Sequence, residues 1–233
     1  MGMSGVSNLK ARAGLLGVGL LATFFVLALS ACGEGGSEGG NKARPLPDDP
    51  EALSPGKYYS TEFKPPLSFE VGESWEHTEK QRSDWIELGW EEETGALSFA
   101  NVEEVFKPGT MKVVDAPQDL VGWLQEHPYL KTSKPQPVTI GGVKAQRLDV
   151  VVDHMPEDYY GNCGMDCLDI FNQGGGEQIA YFNAIDRERR VFVFEDVKGE
   201  TVVIWLASEE GETFDRFAPE AQKVVDSVKW RDS

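Results

Sequence analysis

The sequence is short of histidine, cysteine and basic charge. Its 233 residues include three His and three Cys, and 22 Lys and Arg face 39 Asp and Glu, a formal net charge of −17 at pH 7. Lys10 and Arg12 both precede position 32 and no acid does, so the remainder carries 20 basic against 39 acidic side chains, or −19. A field of that sign repels phosphate backbones and anionic head groups, which excludes nucleic acid as a partner and electrostatic docking on a membrane. No internal repeat is visible, and no P-loop Lys follows the glycines at 174–176. His77 and His127 lie far apart with no nucleophile pattern near either, and a lone His is more often structural. Nothing in the chain requires an enzyme or a cofactor.

What is present begins with export. Residues 13–31 are uncharged and mostly apolar behind the basic start, the n-region and h-region of a secretory signal. At a helical rise of ~1.5 Å this run nearly matches a ~30 Å hydrocarbon core, so length does not separate a cleaved signal from a permanent anchor. The next residues do: Leu29-Ser30-Ala31-Cys32 resembles the lipobox of bacterial lipoproteins. That resemblance implies cleavage before Cys32, a diacylglycerol-type lipid on its sulfur and an acyl chain on the new amine. The protein is then expected on the extracytoplasmic face of a cell membrane. Each buried methylene contributes ~0.8 kcal/mol, so several chains hold where one detaches.

Residues 33–56 contain six Gly and four Pro, which predicts a tether with an r.m.s. span of roughly 25 to 30 Å and no part in a core. The expected division is a signal peptide at 1–31, lipidated Cys and tether at 32–56, and a single α+β domain at 57–233. Two catalytic patterns in the tether are chance. Gly35-Gly36-Ser37-Glu38-Gly39 fits the hydrolase elbow G-x-S-x-G but lacks the strand and helix that elbow needs. Ser54-Pro55-Gly56-Lys57 fits S-x-x-K, yet Pro and Gly prevent the helical turn that would bring Lys to the hydroxyl.

With 40% apolar residues and six Trp, the rest can bury a sizeable core. Strand-length apolar or alternating runs lie at 67–71, 85–90, 97–102, 138–140, 148–152, 178–182, 191–197 and 201–207. Turn residues Glu93-Thr94-Gly95, Gly141-Gly142 and Lys198-Gly199 stand between successive runs, which predicts hairpins and a largely antiparallel sheet. In VFVFEDV and TVVIWLA both faces are apolar, so these strands should be central and covered on each side. Two helices are expected as the cover. The first has Asp115 as cap, Pro117 in its opening turn, Leu120, Val121 and Leu124 on one face, and Pro128 as its stop. The second has Thr213 as cap and Phe214, Phe217, Ala221, Val224, Val225 and Val228 on one face, with a kink or restart expected at Pro219.

This order resembles the PsbP-like α-β-α sandwich, also found in mycobacterial lipoproteins of the LpqN type. The residues that carry it are Phe63-Lys64-Pro65-Pro66-Leu67-Ser68-Phe69-Glu70-Val71, the turn from Gly72 to Trp75, and Ser227-Val228-Lys229-Trp230. The stretch from 119 to 152 also looks like one recurring in uncharacterised actinobacterial lipoproteins. Members of the fold mostly act as assembly or binding modules, so the resemblance implies a non-catalytic domain. Its partner would be an envelope protein, glycan or small ligand.

The most unusual segment is 153–169, DHMPEDYYGNCGMDCLD, expected to be a long loop. Outside the cell, Cys163 and Cys167 most simply form a disulfide, worth at most ~2 kcal/mol for so short a ring. A metal or redox role is the alternative, with His154, Cys163 and Cys167, joined by Met155 or Met165, as a soft set suited to copper(I). Asp153, Glu157, Asp158, Asp166 and Asp169 lack the order of a calcium loop and read as a solvated acidic surface, as do Glu91, Glu92 and Glu93 at a hairpin tip.

Overall fold

Strands that are apolar on both faces belong at the middle of a layered structure, and here they lie there. The computed structural model describes residues 42–232, apart from 92, 93, 163, 166, 174–177, 184–188, 209 and 210. The segment expected to be a signal peptide, the lipobox-like residues with Cys32 and the G-x-S-x-G match lie outside the described residues. β15 (Arg189–Val197) and β16 (Glu200–Ser208) pair antiparallel. Phe192, Phe194, Val202, Ile204 and Leu206 point into one apolar cluster, and Val191, Val193, Val203 and Trp205 into another. The expectation of two covered faces is met.

From this pair a nine-stranded antiparallel sheet extends both ways. On one side β12 (Val143–Val152) flanks β15, and β10 (Leu130–Thr132) and β11 (Gln136–Ile140) pair its two ends. On the other side follow β7 (Gly95–Asn101), β6 (Trp85–Trp90), β5 (Trp75–His77) and β2 (Glu51–Leu53). The hairpins expected at Gly141-Gly142 and Lys198-Gly199 are two-residue turns with positive φ at both positions, the conformation that matches strand twist. Gly95 is not in a turn, as expected from its neighbours, but opens β7. A Cβ there would lie 2.4 Å from the ring of Phe217.

The cover differs from the expected pair of helices. One face lies under α2 (Gly211–Ser227) and a four-stranded sheet of β1 (Arg44–Pro45), β3 (Gly56–Ser60), β4 (Leu67–Val71) and β17 (Lys229–Trp230). The opposite face lies under α1 (Leu120–Glu126) and a sheet of β8 (Glu104–Phe106), β9 (Val113–Asp115), β13 (Cys167–Gln173) and β14 (Gln178–Asn183). A seven-residue helix is only ~10 Å long, so strands must seal what it leaves open. Among the described residues the architecture is mostly antiparallel β-sheet with two helices. Ser68 and Leu67 pair with Lys229 and Trp230, so the two sequence marks nearest the chain ends lie side by side.

Three further expectations are corrected. The tether does not run to residue 56: β1 and β2 fall inside it, Leu53 is buried in the core where β2 pairs with β5, and Leu46, just after β1, is buried where its N–H donates to Tyr59 O on β3. The cap of α1 is Asp119, whose Oδ1 accepts from Gly122 N at 2.7 Å, while Asp115 pairs with Glu104 in a strand. Pro219 does not restart α2, which runs as one helix through it. Proline has no N–H to offer the carbonyl of Asp215, and both residues are exposed, so that carbonyl is open to solvation. Both apolar clusters are built from residues between 46 and 228, and Glu38–Ser233 form one compact unit.

Candidate functional site

A cleft of about 730 Å³ opens between α2 and the β11 edge of the large sheet. Val138 and Ile140 from β11, Phe192 from β15, and Phe214 and Ala218 from α2 give it apolar walls. Its polar groups are Arg147 and Arg190 on the strands and Asp215, Gln222 and Asp226 on the helix. Strand register explains the meeting: Arg147 pairs with both Gln136 and Phe192, and Asp149 with Arg190. The two guanidiniums are held differently. Arg190 donates from Nε to Asp149 Oδ1 at 2.9 Å and lies 5.9 Å from the Phe214 ring centre. Arg147 donates from Nη2 to the neutral Gln136 Oε1 at 2.8 Å and meets no carboxylate among the described residues.

The loop singled out in the sequence lies elsewhere, beside the other apolar cluster, and does not border this cleft. Cys167 is the buried first residue of β13. Cys163 and Asp166 lie outside the described residues, and so does any pairing of Cys163 with Cys167. His154 is exposed, with Nδ1 3.2 Å from Asp153 Oδ2 and its ring packed on that of Tyr129. Met155 packs against the core, whereas Met165 stands in solvent. Among the described residues no three His, Cys, Asp or Glu side chains are grouped to hold a metal ion.

Asp169 departs from the acidic surface to which its sequence neighbours assigned it. It is 2% exposed, and its carboxylate accepts from Tyr159 Oη at 3.0 Å and from the backbone N and Nδ2 of Asn162 at 3.0 and 2.8 Å. Burial, first, raises the Tyr159 hydroxyl to about 12, which keeps it a donor at neutral pH. This clasp ties the loop to β13. Asp153, Glu157 and Asp158 are exposed as expected, and Glu91 pairs with Arg216 at 2.6 Å. Lys57 of the S-x-x-K match faces Glu70 across β3 and β4.

His127 and His154 both contact the ring of Tyr129, and His77 lies on a separate strand. His77 is buried in β5, where desolvation above all lowers its pKa. His127 follows α1, 3% exposed, with Nδ1 accepting from Tyr129 N at 3.4 Å and Nε2 without a partner among the described residues. Burial lowers its pKa to about 4. Its ring sits edge-on between those of Trp123 and Tyr129. No described histidine bonds a hydroxyl or thiol. Among the described residues no helix is long and apolar enough to cross a membrane.

Comparison with protein-family models and with curated proteins finds no match. Among solved structures the chain is similar to cyanobacterial PsbP (CyanoP) from Synechocystis sp. PCC 6803, at 9% identity and a TM-score of 0.39, over 80% of this chain and 95% of that one. It is also similar to a protein from Bacteroides thetaiotaomicron at 13% identity and a TM-score of 0.32, over 72% of this chain and 46% of that one. The immunity protein TplEi of T6SS from Pseudomonas aeruginosa gives 12% identity and a TM-score of 0.32, over 71% and 45%. The chain thus spans under half the length of the last two.

Proposed function

We propose that this chain is a bacterial lipoprotein, anchored by lipid on Cys32 to the extracytoplasmic face of a membrane. Its PsbP-like domain binds a ligand in the cleft beside α2 and catalyses no reaction. The observation that carries the binding role is the cleft itself: its volume lies within the roughly 300 to 1,000 Å³ of small-molecule sites, and it joins apolar walls to a few convergent polar groups. That favours a small ligand over the envelope protein or glycan that would serve equally well as partner of a flat surface. Support for the anchor is the basic start, apolar run and lipobox ending at Cys32. Cys163 and Cys167 form a disulfide that closes the loop already clasped by Asp169.

Two experiments test this. Cys32→Ser should move the protein from the membrane fraction into precursor or soluble form, and unchanged fractionation sinks the anchor. Native mass spectrometry of protein extracted from membranes should show a bound species of a few hundred daltons that Gln222→Trp, which fills the cleft from the half-buried face of α2, removes. A ligand-free wild type, or a ligand retained by the variant, refutes the binding site.

A further inference from the structure

We infer that the cleft, on the binding reading above, takes a single-chain carboxylate: an apolar tail on the Phe192 and Phe214 walls and a monoanionic head on Arg147. The domain is strongly acidic, so an Arg beside a cleft would ordinarily find a carboxylate of its own. Arg190 has found one in Asp149, which leaves it neutralised. Among the described residues Arg147, one pair further along β12, has only the side-chain amide of Gln136. Its other N–H groups and its whole charge remain for a ligand, in a fork that matches two equivalent oxygens.

The same surroundings set the charge of that ligand. Arg147 and Arg190 face Asp149, Asp215 and Asp226, a sum of −1, so the fork of Arg147 rather than the field of the cleft must hold an anion, and a dianion meets greater repulsion than a monoanion. A bare small anion gains nothing from Val138, Ile140 and Phe192, and a neutral amphiphile covers the Arg147 guanidinium without giving it a counter-charge. A carboxylate with an aliphatic or aromatic body meets both demands.

The test uses the domain Glu38–Ser233, which holds both apolar clusters complete, and calorimetric titration with octanoate, acetate, octylamine and octyl glucoside below micellar concentrations. Octanoate is expected to bind saturably and roughly tenfold or more tighter than any of the other three, as a charge-assisted hydrogen bond allows. Arg147→Gln should weaken octanoate at least tenfold and erase its advantage over octyl glucoside. Arg147→Lys, which keeps the charge without the fork, should fall between. Arg216→Gln removes an equal charge from an ion pair on α2 outside the cleft and should change affinity less than twofold. Circular dichroism confirms that each variant is folded. Equal binding of octanoate and octyl glucoside, or an Arg147→Gln domain that binds octanoate unchanged, overturns the proposal. If octanoate fails while extracted protein still shows a ligand that Gln222→Trp removes, the ligand class falls and the binding site stands; if neither is seen, both fall.

Discussion

His127 should make the domain sensitive to mild acid. In the folded state its imidazole is buried between the rings of Trp123 and Tyr129, and burial lowers its pKa from 6.5 to about 4. The unfolded chain therefore binds the proton more readily. Above the unfolded value neither state is protonated and His127 costs nothing; as pH falls from 6.5 towards 4 the unfolded state is increasingly favoured, and below about 4 the loss levels off. At about 1.4 kcal/mol per pH unit the full window is worth about 3 kcal/mol, and between pH 7 and about pH 4.5 the loss is about 2 kcal/mol. Against a total stability of roughly 5 to 15 kcal/mol this is easily measured. His77 acts in the same direction, so the comparison must isolate one ring. His127→Phe keeps the contacts with Trp123 and Tyr129 but removes the titrating group, and it forfeits the bond from Tyr129 N at about 1 kcal/mol at every pH. Urea unfolding followed by tryptophan fluorescence at several pH values should show the wild type losing about 2 kcal/mol more than the variant over that window. Parallel stability curves would refute the reasoning, as would an NMR titration in which the folded His127 ring ionises near 6.5.

Asp169→Asn removes the charge from an oxygen, Oδ2, that accepts three hydrogen bonds, and even with its amide oxygen kept there it sets an NH2 3.3 Å from the donor Asn162 N. It should cost about 2 to 3 kcal/mol, read most directly as faster hydrogen exchange at Asn162 N–H. Gly95→Ala places a methyl 2.4 Å from the Phe217 ring, which also touches Trp75 and Trp90, so a loss of about 1 to 3 kcal/mol in chemical unfolding is expected. Thiol labelling of native, unreduced protein followed by mass spectrometry should modify neither Cys163 nor Cys167, and label on both would overturn the disulfide.

The central strands were legible because their pattern has one physical meaning. No half-exposed strand tolerates Val191 to Phe194 with every side chain apolar, and both sides of β15 proved to be covered. Gly141-Gly142 and Lys198-Gly199 were legible because few residues adopt positive φ in succession. β13 was missed for the opposite reason. CLDIFNQ contains Asp169, Asn172 and Gln173, which periodicity assigns to solvent, yet all seven residues are buried. Asp169 is kept there by Tyr159 and Asn162, and Asn172 donates to Glu104 Oε2 at 2.6 Å on the neighbouring strand. Those partners are remote enough in sequence to leave no local signal. The small strands β1 and β2 were hidden in a stretch whose Pro and Gly content reads as tether, because pairing with β3 and β5 decides their fate.

The cleft was illegible as a site, but its trace is present in the strands once the cover is known. On the face that α2 packs against, β15 reads Phe194, Phe192, then Arg190, and β12 reads Ala145, Arg147, Asp149. In each strand the inward side chains change from apolar to charged part-way along, without a turn. Such a change cannot occur beneath a helix, since a buried guanidinium would need a full set of partners, so it marks the row at which the cover ends. α2 meets that boundary with Phe214 and Ala218, and β11 meets it with Val138 and the exposed Gln136. A sheet sealed on both faces offers a ligand only such boundaries. This one combines an apolar floor with an Arg that meets no carboxylate among the described residues, which is why the proposed binding role rests on Arg147 and its neighbours rather than on the cysteine loop.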